Sequence, residues 1–461
     1  MRNYDIAVLG GGPAGYVAAI RAAKEGKQVV LIEQDQLGGT CLNRGCIPSK
    51  TLLHQAGLLD QIRQAKNWGI ETGELSFSLG KMLARKDQVI GRLRIAIAAL
   101  LQTGGIERIK GCGEVNQDKT ITVQLEHEKI TVHAKSIILA TGSTPAVPPI
   151  PGLADLPFHT SDTIFDIEKV PSSITILGGG FIGVEFASIF SSLGSQVTVI
   201  EMADRLIPQE DADAAAVLSK ALRKKGVSLR TGQTVTAIAS NELQTITVDM
   251  SDDKGNGTTI QCETLLVATG RKPNLAAFEK LQPAMHGAFV RVNDFLETSI
   301  SGVYAAGDII GGYQLAHVAS AEGQAAAINA AGGKEKVNYK VVPRCIYTHP
   351  EIASTGLSEE EARARGYAVK TTIYQHAGNG KALTSDDTNG FTKLIADETY
   401  GEVLGVVMVG PHATEMISTA SSFLMLEATV DDVAEMIFPH PTVSESLMEA
   451  AAKWIGKGIH T

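Results

Sequence analysis

Cysteine, aromatic residues and long apolar runs are all scarce in this chain. Its 461 residues include five cysteines, two tryptophans and 5% aromatic residues. Five cysteines over that length exclude a secreted scaffold held by disulfides. No apolar run approaches the roughly 18 residues that span a bilayer. Positive charge is in deficit too: 41 Lys and Arg stand against 50 Asp and Glu, a formal charge of −9. That balance disfavours nucleic acid or an anionic membrane as the main partner. The start, Met1-Arg2-Asn3-Tyr4-Asp5, runs directly into an apolar strand, without the charged head, apolar stretch and small-residue cleavage site of a leader. These absences predict a soluble, cytoplasmic protein in a reducing compartment.

What the chain does hold is one module written twice. With 44% hydrophobic residues it can fill several cores, and its length suggests about three domains. The first copy runs Ile6-Ala7-Val8-Leu9, the turn Gly10 to Gly15, a helical pattern, then Val29-Val30-Leu31-Ile32-Glu33. The second runs Ile174-Thr175-Ile176-Leu177, the turn Gly178 to Gly183, a helical pattern, then Val197-Thr198-Val199-Ile200-Glu201. Gly10 to Glu33 and Gly178 to Glu201 are the same separation. In each copy the first two glycines of Gly-x-Gly-x-x-Gly (Gly10 and Gly12, Gly178 and Gly180) allow a tight turn and close backbone approach to a pyrophosphate. The third (Gly15, Gly183) lets helix pack on strand. The pyrophosphate then lies at a helix N-terminus, and Glu33 and Glu201 accept ribose hydroxyls. A carboxylate there repels a 2′-phosphate, so NAD is favoured over NADP. Two complete copies predict an α/β fold that binds two dinucleotides.

Each copy closes with a matching phrase, Leu139-Ala140-Thr141-Gly142 and Val267-Ala268-Thr269-Gly270, followed by proline-bearing exits. These read as points where the chain leaves one domain for the next. A further short strand is expected over 303–309, ending at Asp308. From about residue 340 strand-like runs such as Val403 to Val409 are followed by helical segments, which suggests a separate α+β domain.

Between Cys41 and Cys46 stand only Leu42, Asn43, Arg44 and Gly45. A close pair beside a nucleotide site can shuttle two electrons by opening and closing a disulfide. Zinc would want a second pair, and Cys112, Cys262 and Cys345 are scattered singly, so no metal is expected; those three are read as inert. Helical potential from Lys50 onward sets both sulfurs near a helix start, where the dipole favours thiolates. Lys50 reads either as a solvated lysine or as part of the site, and Glu185 either as a helix-start carboxylate or as part of the site. In His440-Pro441-Thr442-Val443-Ser444-Glu445, Thr442 and Glu445 fit a capping box. Glu445 is then only a cap, or else it orients His440 as a proton acceptor for thiol chemistry.

Taken together these residues resemble the flavoprotein disulfide reductases over essentially the whole chain. The resemblance rests on Gly39-Thr40-Cys41 through Cys46-Ile47-Pro48-Ser49-Lys50, both glycine fingerprints, Ala306-Gly307-Asp308, and His440-Pro441-Thr442 through Glu445. It implies two Rossmann-like dinucleotide-binding domains plus a C-terminal α+β dimerisation domain. The divisions are an FAD-binding domain (1–145), an NAD-binding domain (146–270), a central domain completing the FAD region (271–340) and a dimer-interface domain (341–461). By the same resemblance Gly10, Gly12, Gly15 and Glu33 bind the adenosine half of FAD and Asp308 contacts its ribityl side. Gly178, Gly180, Gly183 and Glu201 bind NAD, and Thr141, Gly142 and Gly270 border the cofactors. Cys41 meets substrate and Cys46 faces the flavin; Lys50, paired with Glu185, lies at the reactive flavin edge, and Phe181 shields it. His440 and Glu445 serve the other subunit of a homodimer. The implied reaction oxidises dihydrolipoyl groups with NAD+. The partner is a lipoyl-bearing acyltransferase or lipoyl carrier protein of a multienzyme complex.

Two residues depart from the common pattern of that family. Arg44 stands where many relatives have a small apolar residue, and it is expected either to lower the local thiolate pKa or to point into solvent. Phe438 stands where many relatives of this activity carry a second histidine. A mercuric-ion reductase would need a further cysteine pair near its C-terminus, whereas the last cysteine here is Cys345. A glutathione reductase would replace Glu201 with basic surroundings, and a soluble transhydrogenase would lack the full cysteine pair. A role chiefly as an assembly subunit on an acyltransferase core is the alternative of a different class.

Overall fold

Ile6, Ala7, Val8 and Leu9 are all buried, and so are Val29 through Ile32. Strands apolar on both faces are those of a sheet covered on both sides; here the helices Pro13–Lys24, Leu79–Thr103 and Ala316–Ala330 cover one face, and the other packs on Val115, Ile121, Val123 and Phe278. The structure, a computed structural model, describes residues 2–241 and 245–460. Residues 1 and 461, which end the expected first and last domains, and 242–244 within the expected second lie outside the described residues.

In the first sheet the strands Glu107–Lys110, Val29–Glu33, Arg2–Leu9 and Lys129–Leu139 run parallel, with Leu9 opposite Ile32 on one side and Leu139 on the other. An antiparallel pair, Ile121–Gln124 and Cys112–Val115, extends one edge. Val303–Ala305 returns from much later in the chain to pair in parallel with Lys129–Leu139. The strand expected over 303–309 is shorter, Val303–Ala305, and completes the first sheet; Asp308 lies beyond its end and opens the turn Asp308–Ile310.

The second copy builds a five-stranded parallel sheet in the order Ser228–Thr231, Gln196–Glu201, Ser173–Leu177, Thr264–Val267, His159–Thr160. A three-stranded antiparallel sheet over Thr234–Ser240, Ile246–Ser251 and Gly257–Cys262 is attached to it. Where the chain leaves the first sheet and where it comes back, the strands Ser143–Pro145 and Arg271–Pro273 pair with each other, antiparallel. Both crossings are thus tied at one place. The C-terminal region is a five-stranded antiparallel sheet flanked by the helices Ala413–Met425 and Glu445–Trp454. The fold class is the expected one: two Rossmann-like α/β units, each with helices on one face of its parallel sheet and antiparallel strands on the other, and a C-terminal α+β unit. Among the described residues no helix is long and apolar enough to cross a membrane.

Candidate active site

The two glycine turns are built alike to the level of single atoms. A Cβ on Gly10 would lie 2.2 Å from the Ala140 oxygen and one on Gly15 would lie 1.8 Å from the Gly10 oxygen. On Gly178 and Gly183 the corresponding clearances are 2.4 Å from the Ala268 oxygen and 1.9 Å from the Gly178 oxygen. Only glycine fits such contacts. The helices that follow, Pro13–Lys24 and Phe181–Leu193, have Gly12 and Gly180 at their N-caps with no side-chain cap, so their first N–H groups stay open to an anion. Glu33 accepts the Gly11 N–H at 2.6 Å and the Asp35 N–H at 2.7 Å. Glu201 repeats this with the N–H groups of Gly179 at 2.6 Å and Ala203 at 2.8 Å.

Both turns open on one cavity of about 1030 Å³. Gly10, Gly12, Glu33, Thr141, Gly142 and Asp308 line it from the first unit, and Gly178, Gly180, Phe181, Glu201 and Gly270 from the second. Cys41, Cys46, Lys50 and Glu185 line the same cavity. Gly15 and Gly183 sit one step back, each on a helix and each held against the backbone of the first glycine of its turn. Open backbone N–H groups at two helix starts, glycines where a side chain would block approach, and a carboxylate at each second strand fit two dinucleotides.

Cys41 sits on a short helix, Gly39–Arg44, and Cys46 opens the long helix Cys46–Gln64. The helix begins at Cys46 rather than at Lys50, which puts Lys50 one turn on from Cys46 and on the same face. The two cysteines are free thiols that share a hydrogen bond. That bond pulls the Cys46 thiol down to about 7, with the Lys50 ammonium adding to it and burial and Glu185 opposing, while Cys41 is pushed up by the same bond and by burial. Cys46 is the sulfur set to carry charge. Lys50 Nζ donates to both Glu185 oxygens, at 2.9 and 2.8 Å. Glu185 lies within its helix and not at the start, and also accepts the Tyr347 N–H at 3.1 Å.

Two expectations need correction. Arg44 is ion-paired with Asp35, and the cation that acts on both sulfurs is Lys50. Its pairing partner holds Arg44 away from the thiolate role expected of it. The capping box at Thr442 is only half formed: Glu445 Oε2 accepts the Thr442 N–H at 2.8 Å, but the Thr442 hydroxyl donates to the Pro439 oxygen instead. The helix accordingly starts at Glu445 itself. Cys345, read as inert, lines the cavity, and burial, with Glu351 and Glu210 adding, pushes its thiol up to about 11, which keeps it protonated.

His440 and Glu445 are not brought to this cavity. They form their own pair, His440 Nδ1 to Glu445 Oε1 at 2.9 Å, with the histidine side chain 78% exposed. Burial pushes the Glu445 carboxyl up, but the Thr442 N–H and His440 outweigh it and hold the group below its ordinary value. Phe438 packs half-buried against the core of the C-terminal region.

Sequence reading passed over Arg271 and Ser143. Arg271 Nε donates to Ser143 Oγ at 2.8 Å, Nη1 to Asp162 at 3.1 Å and Nη2 to the Ser143 oxygen at 2.7 Å. The Ser143 hydroxyl in turn donates to Asp308. The strand pairing that assembles this network joins residues far apart in sequence, and only the arginine after Gly270 marked it.

Residues 4–323 match the family described as pyridine nucleotide-disulphide oxidoreductase, and residues 342–451 match its dimerisation domain. A dihydrolipoyl dehydrogenase of Bacillus subtilis is 39% identical over 459 residues, 99% of each chain. One of Thermus scotoductus is 38% identical over 470 residues, covering 100% of this chain and 99% of the other. Among solved structures, the Cu(II) complex of the HOCl-induced flavoprotein disulfide reductase RclA from Escherichia coli superposes with a TM-score of 0.88 at 30% identity, covering 98% of this chain and 100% of that one. LpdA from Mycobacterium tuberculosis gives 0.88 at 29% identity, over 98% and 99%.

Proposed function

The chain belongs to the pyridine nucleotide-disulphide oxidoreductase family, and from that premise we propose that it oxidises dihydrolipoyl groups to lipoyl and reduces NAD+ to NADH. The observation that carries this reading is a cysteine pair at a helix start, one thiol drawn down to about 7, inside one cavity with two dinucleotide turns. The family relationship makes the cofactors FAD and NAD, and it makes the protein a homodimer. Gly10, Gly12, Gly15, Glu33 and Asp308 hold FAD, with Thr141 and Gly142 at its border. Gly178, Gly180, Gly183, Glu201 and Gly270 hold NAD. When bound, FAD supplies two-electron transfer between the Cys46 sulfur and the nicotinamide of NAD+.

The remaining chemistry belongs to side chains. His440 of one subunit takes the proton of a substrate thiol, and Glu445 holds its imidazole by Nδ1 so that Nε2 is free to accept. The substrate thiolate attacks Cys41 of the oxidised pair, and Cys46 leaves as a thiolate beside the Lys50 ammonium. The second substrate sulfur then displaces Cys41, closing the lipoyl disulfide and leaving both cysteines reduced. Phe181, at the start of its helix, guards the nicotinamide side. The exposure of His440 outside its own cavity supports service to the partner subunit. Division of the chain at residues 145, 270 and 340 is supported by the paired crossing strands and by the return of Val303–Ala305 to the first sheet. The dithiol is presented by a lipoyl-bearing acyltransferase or lipoyl carrier protein of a cytoplasmic multienzyme complex.

The test is to add dihydrolipoamide anaerobically to the purified holoenzyme and then NAD+, following the visible spectrum. A long-wavelength band followed by NADH is the expected result. A flavin left oxidised by the dithiol would overturn the substrate.

A further inference from the structure

We infer that Asn379, Thr392 and Ser446, with His376 behind them, are positioning residues for the His440–Glu445 pair. The inference rests on the reading that His440 takes the substrate's proton. Among the described residues the only hydrogen bond of the His440 ring is to Glu445, so the direction of an exposed imidazole depends on how firmly Glu445 is held. Two buried polar groups grip the chain on either side of Glu445. On one side the Asn379 side chain, 3% exposed, donates from Nδ2 to the Thr442 oxygen at 3.0 Å. Its Oδ1 accepts the Ala382 N–H at 2.9 Å, which fixes the amide's orientation. On the other side the Ser446 hydroxyl lies 2.7 Å from the Thr392 hydroxyl.

Behind this pair stands His376, whose Nε2 is 3.2 Å from Thr392 Oγ1. His376, Thr392 and Ser446 are all fully buried. Burial pulls the imidazole down to about 4, so it is neutral. With its proton on Nε2 it donates to Thr392, whose hydroxyl is then free to donate to Ser446. Its Nδ1 has no partner among the described residues and faces Gly410, where a Cβ would come within 2.6 Å of it. Valine, alanine and phenylalanine would fill these positions without any polar group to satisfy. A line of buried hydrogen bonds instead fixes direction, which apolar packing does not do. The effect is to set the first turn of Glu445–Trp454 in one orientation against the strand Phe391–Asp397.

The experiment uses holoenzyme carrying Thr392→Val, Ser446→Ala or Asn379→Ala, with Thr392→Ser and His440→Gln beside them, in rapid-mixing measurements of the two half-reactions. Flavin reduction by dihydrolipoamide should slow about tenfold in the first three variants, since small misplacement of a reacting group costs rates of that order. Reoxidation by NAD+ should keep the wild-type rate, and Thr392→Ser, which keeps the hydroxyl, should restore dithiol oxidation. Wild-type dithiol oxidation in Thr392→Val and Ser446→Ala, or an equal fall in both half-reactions, overturns the inference. Wild-type dithiol oxidation in His440→Gln overturns instead the reading on which it rests.

Discussion

At Cys46 the charges of Lys50 and Glu185 act on a thiol that the hydrogen bond with Cys41 already draws down. Lys50 is 31% exposed at its side chain and Glu185 only 7%, so the ion pair is anchored on the carboxylate side. The ammonium favours the Cys46 thiolate while the carboxylate disfavours it. Removing the cation in Lys50→Met should therefore raise the Cys46 pKa from about 7 by roughly one pH unit, within the range known for opposite-charge neighbours. Ultraviolet titration of the thiolate in the reduced protein reads this directly, and an unmoved curve would show that Lys50 does not act on the sulfur. Arg44→Val should leave the curve in place, because Asp35 already holds that guanidinium. The cysteine spacing was legible in the sequence because both thiols stand within one short stretch, while Lys50 stayed open from its residues alone and was placed at the site only by the family resemblance. That Lys50 and not Arg44 acts on the thiolate was not legible. It depends on a helix that starts at Cys46 and on a partner, Glu185, on a different sheet's helix.

Helices carry information between these sites that no motif advertises. Ala316–Ala330 is nearly all alanine, glycine and small residues on the face toward Pro13–Lys24, and a Cβ at Gly323 would come 2.2 Å from the Ala14 oxygen. From this helix Glu322 reaches back to accept the Gly307 N–H at 2.7 Å, next to Asp308, and the Tyr339 hydroxyl at 2.9 Å. Burial pushes its carboxyl from the ordinary 4.5 up to about 7, with Asp308 adding and the two donors opposing. A raised carboxyl means that the folded protein binds this proton more tightly than the unfolded chain does. Its contribution to stability is fully present below pH 4.5 and is lost as pH rises through about 7. Glu322→Gln should remove that slope, so thermal melts of the variant should vary less with pH across this window than those of the native protein. Parallel melting profiles would exclude Glu322 as the source. In the sequence Glu322 reads as any glutamate on an alanine-rich helix, since Gly307 and Tyr339, which settle its burial, lie a turn and a loop away.

Across the whole molecule, the C-terminal sheet grips the second unit through buried charges. Arg344 pairs with Glu210 at 2.8 Å, the Ser354 hydroxyl donates to the same carboxylate at 2.6 Å, and Lys393 pairs with Asp211 at 2.9 Å. These contacts join residues more than a hundred positions apart and had no signature in the sequence. The overall plan did, because a repeated glycine turn is a local requirement written out twice. The dimer was legible only through the family resemblance. Its physical signs are a histidine standing in solvent on a largely covered glutamate and, beside it, Ile437 at 99% exposure. An arrangement in which His440 serves the partner's cysteines makes a prediction about mixed dimers. Homodimers of Cys46→Ser and of His440→Gln should both fail to oxidise dihydrolipoamide. In a dimer of one copy of each, one cavity combines both lesions, while the other joins intact cysteines to an intact His440 from across the interface. Co-expressed with different tags and purified through both, the mixed dimer should recover dithiol oxidation at one of its two sites. Were His440 to serve its own chain, each cavity of that dimer would keep one lesion and the mixture would stay inactive.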